Sequence, residues 1–183
     1  MATALAFTAN EVAALSGLDE GRVRKEVEHG IFSRPTFTFE DLVYFGVLAA
    51  LGVQLGIDDR RRLHDLVARS LGGGRQPSRV EWSPVLEVRV DRVANDARER
   101  LDGFEAWKRT RVGASASVLG GEATIVGTRL VVRHVGGMLL KGVSEAEVRE
   151  DYPYLTSDDL AFARIFTRAY PRMGRPRDPQ AAA

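Results

Sequence analysis

The sequence predicts a mostly α-helical protein: two helix-turn-helix units with short β-hairpins, joined by a strand and an amphipathic helix. Three observations carry that expectation. Capping boxes stand before helix-like stretches, as Thr8-Ala9-Asn10-Glu11 near the start and Ser144-Glu145-Ala146-Glu147 near the end. In each, the hydroxyl can accept from the backbone one turn on while the glutamate reaches back. In both halves two helices meet at a tight glycine-containing turn, which is the helix-turn-helix outline. Finally, two β-branched runs flank Gly127-Thr128, where glycine supplies the dihedrals a hairpin turn needs.

The first unit is expected over residues 1–71. Its first helix runs from the Thr8 cap through Leu15, with Val12, Ala13 and Leu15 inward. Ser16-Gly17-Leu18 makes the turn, Asp19 caps a second helix through His29, and Gly30 stops it. This arrangement resembles the N-terminal half of a MerR-like winged domain, with Arg34-Pro35-Thr36-Phe37 as the remnant of the wing. By helical angle Val23 and Val27 point inward, whereas Arg22, Lys25, Glu26 and His29 point outward. If the unit binds DNA, that outer face enters the major groove, and Arg22, Arg24, Lys25, His29 and Arg34 are the candidate contacts. A solvated face balanced by Glu26 and Glu28 explains the same pattern, and His29 also suits a helix C-terminus.

Thr38-Phe39-Glu40-Asp41 starts a third helix that is apolar on nearly every face from Leu42 to Leu55. Such a helix is either a central core element or an inter-domain or dimer contact. A homodimer is expected on that ground, since two copies read two half-sites. Asp58 caps a fourth helix whose outer side carries Arg60, Arg61 and Arg62 as a basic corner. Residues 72–112 form the connector. Gly72 to Ser78 reads as a linker, and Leu86, Val88 and Val90 alternate with charges as a half-buried strand. A helix from about Arg92 to Arg109 follows, with Val93, Ala97, Leu101, Phe104 and Trp107 as its stripe. That stripe is expected to pack on the hairpin, or to serve as a dimerisation surface.

The second unit spans residues 113–172. After the hairpin, a helix from Arg133 to Lys141 ends at Gly142. The helix capped by Ser144 must stop by Tyr152, because Pro153 disfavours the α conformation before it. Thr156 starts a last helix that runs to about Tyr170, before Pro171. Leu119-Gly120-Gly121-Glu122, Gly127-Thr128-Arg129, Gly142-Val143-Ser144, Asp151-Tyr152-Pro153, Leu155-Thr156 and Asp158-Asp159-Leu160 follow one another in that order. Together these blocks resemble the DUF433 family. The resemblance implies a homeodomain-like domain of the kind found in type II antitoxins paired with PIN-like ribonuclease toxins. Proline is usual in that family where Ala123 and Val131 stand, and a polar residue where Val126 stands, so this hairpin is looser.

Within that frame Gly120, Gly121, Gly127, Thr128, Arg129 and Pro153 are structural motif positions. Arg129 either ties the hairpin to Asp151 or Asp158 or presents its charge to DNA or a toxin. Arg164, Arg168 and Arg172 are spaced by four and form one stripe, opposite Phe162, Phe166, Ala169 and Tyr170. Arg175 and Arg177 extend the charge into residues 173–183, expected to be a flexible tail. These five arginines are the candidate toxin-binding residues, because guanidinium pairs with phosphate and with the carboxylates of an acidic metal site alike.

Composition narrows the classes. At 183 residues, 44% hydrophobic and 28% charged, the chain is an ordinary globular protein, and a net charge of +1 neither demands nor excludes nucleic acid. With no cysteine there is no disulfide or thiolate metal site, which fits a cytoplasmic protein. No signal peptide is apparent, and Leu42–Leu55 falls short of a membrane span. The histidines, His29, His64 and His134, lie in separate elements, and no phosphate loop or carboxylate pair appears outside helix starts. No catalysis, metal or cofactor is expected. The DUF433 resemblance, not residue spacing, implies the expected function: a DNA-binding antitoxin that silences a PIN-like ribonuclease and represses its own operon. A stand-alone MerR-like regulator and a protein-only adaptor are the alternatives.

Overall fold

A computed structural model describes residues 6–34, 36–72, 79–83, 86–113 and 121–172. Among these, the chain forms eight helices and two small antiparallel two-stranded sheets. The linker from Gly73 to Ser78, Pro35 in the wing remnant, Gly120, and the tail with Arg175 and Arg177 lie outside the described residues.

The N-terminal unit begins with α1 (Ala9–Ser16), whose capping box forms as expected: the Thr8 amide donates to Glu11 Oε2 at 2.9 Å. Gly17 leaves it at φ 82°, a left-handed position that glycine fills without strain. Asp19 accepts from the Gly21 amide at 2.8 Å and opens α2 (Glu20–Glu28). Phe7 and Phe37 then exchange backbone hydrogen bonds of 2.7 and 2.9 Å, a single bridge beside the helices. α3 (Phe39–Leu51) ends earlier than expected, at Gly52 with φ 63°. Its residues Asp41 to Phe45, Val47 and Leu48 are all buried within the chain. The core reading of that helix therefore holds, and its apolar faces no longer argue for a dimer.

α4 (Ile57–Gly72) departs from the expected basic corner. Arg60 is buried beneath α2, Arg61 donates to the His29 carbonyl at 3.0 Å, and Arg62 stacks over Trp82 at 5.5 Å. Beyond it β1 (Val80–Ser83) pairs with β2 (Leu86–Val88). Val90, read as the last strand residue, instead starts α5 (Val90–Arg111) and is fully buried. α5 packs on α3, α8 and α1 and meets the hairpin at its C-terminal end, where the Val126 amide donates to the Arg111 carbonyl at 2.8 Å; its Leu101, Phe104 and Trp107 are covered within the chain.

The C-terminal hairpin is short. β3 (Val112–Gly113) pairs with β4 (Thr124–Ile125), and the far arm is one bridge from Thr124 to Val131. Gly127 turns at φ 78°, and Thr128 braces the turn by donating to the Ile125 carbonyl at 2.9 Å. α6 (Val132–Leu140), α7 (Glu145–Asp151) and α8 (Ser157–Ala169) follow at the expected places. Gly142, at φ 93°, separates α6 from the Ser144–Glu147 capping box.

One core cluster runs from Phe7 to Phe166. α8 lies against α6 on one side and α1 on another. Across the latter contact the Arg168 guanidinium donates to the Leu18 carbonyl, and the Tyr170 hydroxyl donates to Glu11 Oε1 at 2.9 Å. The C-terminal helix thus braces the turn between α1 and α2.

Asp159, expected only to cap α8, also ties it to α5. Fully buried, it accepts from Trp107 Nε1 at 2.8 Å and from Arg111 at 2.9 and 2.6 Å. Burial by itself raises its carboxyl, but Arg111, the Thr156 amide and hydroxyl and the Trp107 indole hold it well below the usual carboxylate range. A depressed folded-state value stabilises fully above the unfolded-state value near pH 4 and is lost as pH falls through the folded one. Asp159→Asn is therefore expected to cost about 3 kcal/mol at neutral pH. Urea unfolding at pH 7 and pH 3 should show the gap between variant and wild type narrowing in acid; an equal gap at both would remove the ion pair from the account.

Candidate nucleic-acid interface

The outward residues of α2 are Gly21, Arg24, Lys25 and Glu28, with Val23 and Glu26 turned into the core. Glu26 is the main correction to the helical-angle reading. It is fully buried, and its carboxylate accepts from Arg60 Nη1 at 2.5 Å and the Tyr44 hydroxyl at 3.1 Å, with Arg22 Nε at 3.4 Å. A carboxylate without water must be satisfied in this way. Burial and then the adjacent Glu26 charge push the Tyr44 hydroxyl far above its ordinary value, so it stays a donor.

Each candidate DNA contact now has a place. Arg22 is half-buried and drawn toward Glu26. Arg24 is exposed and held by Glu20 at 2.5 Å, one turn back. Lys25 is exposed, with no carboxylate partner among the described residues. His29 faces Arg60 at 3.1 Å; since guanidinium only donates, His29 Nδ1 accepts, and this ring orients α2 instead of projecting from it. Arg34 is exposed, 3.8 Å from Asp41, whose other oxygen meets His64 at 3.2 Å. The exposed cations of α2 and the following loop are thus Arg24, Lys25 and Arg34.

The arginine stripe of α8 does not form one outward face. Arg164 is exposed, but Arg168 turns to the Leu18 carbonyl. Arg172 pairs with Glu122 at 2.9 Å, beside Arg133, which donates to Glu122 at 2.8 Å and to the Tyr170 carbonyl at 2.7 Å. The α1–α2 turn and the stretch before β4 claim the middle and end of the stripe, a tertiary effect that four-residue spacing does not show. Arg129 is exposed and pairs with neither Asp151 nor Asp158, so the expected structural anchor is absent. Gly121 takes φ 84°, and Pro153 stands exposed just past α7.

Two grooves on this half are large enough to matter. One, of about 920 Å³, lies between α5 and α8, floored by Trp107, Phe162 and Ile165 and rimmed by Asp96, Glu99 and Asp158. The other, of about 690 Å³, runs along α6 and is lined by Arg129, Arg133, His134, Lys141 and Arg172. Neither His134 nor Lys141 stood out in the sequence. Only their spacing on α6 would have marked them, and glycines dilute that pattern.

The short hairpin and the helices that follow it, around Gly127 and Gly142, fall within a stretch that matches a family model. Residues 113–167 are a DUF433 domain. The family is described as a protein of unknown function. An uncharacterized protein, y4eO of Sinorhizobium fredii (strain NBRC 101917 / NGR234), is 36% identical over 102 residues, covering 54% of this chain and 46% of its own length. The chain therefore spans about half the length of that relative. No solved structure matches. Among the described residues no helix is long and apolar enough to cross a membrane, and no cluster of acids and histidines is placed to hold a metal ion. The DUF433 domain packs through α8 onto α1 of the N-terminal unit.

Proposed function

We propose that the chain is a DNA-binding antitoxin, a non-catalytic cytoplasmic protein that silences a PIN-like ribonuclease and represses its own operon. The observation that supports DNA binding is α2. It follows α1 across a tight left-handed turn, is locked from beneath by Glu26 and Arg60, and presents Arg24 and Lys25 outward. A rigid helix with cations on its outer face suits the major groove and the phosphates beside it. The antitoxin half of the reading rests on the DUF433 domain. Its exposed Arg164, and Arg172 leading into Arg175 and Arg177, are the cations that would meet an acidic ribonuclease site.

The test is a titration of the full chain against duplex DNA from upstream of its own reading frame, followed by fluorescence anisotropy at several salt concentrations. Arg24→Ala with Lys25→Ala is expected to weaken binding by about 1–3 kcal/mol and to reduce the salt slope by about two where both touch phosphate. Binding unchanged in affinity and slope would remove α2 from the interface. A ribonuclease encoded next to this chain should in turn be silenced by it in a purified assay.

A further inference from the structure

The groove along α6 is a concentration of positive charge that the fold leaves open. Arg129, His134 and Lys141 are exposed, and neither Arg129 nor Lys141 pairs with a carboxylate among the described residues. No carboxylate lines the groove, whereas the larger one between α5 and α8 sets three carboxylates against Arg100 and Arg111. An anion is therefore favoured in the first over the second.

Its position selects the anion. Thr167 and Pro171 line this groove and also a smaller recess of about 240 Å³, whose other walls include Asp19, Glu20 and Leu140. Asp19 and Glu20 are the cap and first residue of α2, and Lys141 directly follows Leu140. The cationic groove thus adjoins the N-terminal end of the helix that faces DNA. In helix-turn-helix complexes that end points at the bases, and flanking protein segments hold the phosphates on either side.

We infer that the α6 groove of the DUF433 domain is a second DNA-contacting surface, which grips the phosphate backbone next to the base pairs met by α2. This rests on the reading that α2 binds DNA. The groove supplies affinity and footprint length, and α2 supplies sequence preference. Arg129 and Lys141 make the phosphate contacts, and His134 lines the groove beside them.

The test compares the full chain with Arg129→Ala/Lys141→Ala, and with Arg129→Lys/Lys141→Arg, on a mixed-sequence duplex of about 30 base pairs and one of about 12, each across a salt series. Both residues are exposed, so the variants should fold, and matching thermal melts verify this. On the long duplex the alanine variant is expected to bind about tenfold more weakly, with a salt slope smaller by about two, while the charge-preserving variant binds like wild type. On the short duplex all three should bind alike. Unchanged affinity and slope on the long duplex would overturn the inference. If Arg24→Ala/Lys25→Ala still loses binding there, the reading of α2 stands alone; if it does not, that reading falls too.

Discussion

Gly136→Ala is expected to destabilise the protein by about 3 kcal/mol or more, whereas Gly137→Ala next to it should stabilise by about 0.5–1 kcal/mol. The opposite signs come from one helix crossing. Gly136 is buried where α6 meets α8, and a Cβ there would overlap the Thr167 hydroxyl and the Ala163 carbonyl oxygen, with the carbonyl carbon at 2.9 Å. Those two groups are already engaged with each other, Thr167 donating to Ala163 at 2.8 Å. Rotating a side chain away cannot relieve a clash with backbone, so the helices must separate along their length. At Gly137 a Cβ meets nothing within 4 Å, and alanine only removes the conformational entropy that glycine gives the unfolded chain. Urea midpoints of the two variants decide it. Equal effects, of either sign, would mean that α6 and α8 are not in such close contact.

That crossing also marks where the sequence stops being readable. Capping boxes are local chemistry, so Thr8, Ser144 and Thr156 located three helix starts, and Gly30 and Gly142 two helix ends. The glycine pair inside α6 was only a weakness in a helical pattern until its partner helix was known. The same holds for charge. Helical angle placed Glu26 outward with Arg22 and Lys25, because a polar residue is outward by default. Its partner Arg60 lies on another helix, and nothing local pairs the two. Arg168 and Arg172 failed for the same reason, being claimed by Leu18 and Glu122 from elements distant in sequence. Family blocks located the DUF433 domain, yet its cationic groove draws on the hairpin, α6 and the end of α8 together.

Glu26→Ala is the second substitution expected to act strongly, with a loss of about 3–5 kcal/mol. It leaves the Arg60 guanidinium, only 7% exposed, without its carboxylate, and the Tyr44 hydroxyl without an acceptor. Replacing the whole cluster should behave differently. In Glu26→Leu/Arg60→Met/Tyr44→Phe every buried polar partner goes at once, and apolar packing of similar volume is close to neutral or stabilising in such sites. Stability then separates from orientation. Arg60 also donates to the His29 ring at the end of α2, so the triple variant keeps its fold but loses that side-chain link between α4 and the helix proposed to face DNA, leaving the Arg61 bond to the His29 carbonyl. Its urea midpoint should lie near wild type while DNA affinity falls. If Glu26→Ala unfolds within about 1 kcal/mol of wild type, the buried pair does not hold α2 and Arg60 must reach water. If the triple variant keeps both stability and DNA affinity, the cluster is packing alone, and the outward pose of Arg24 and Lys25 comes from the apolar contacts of Val23.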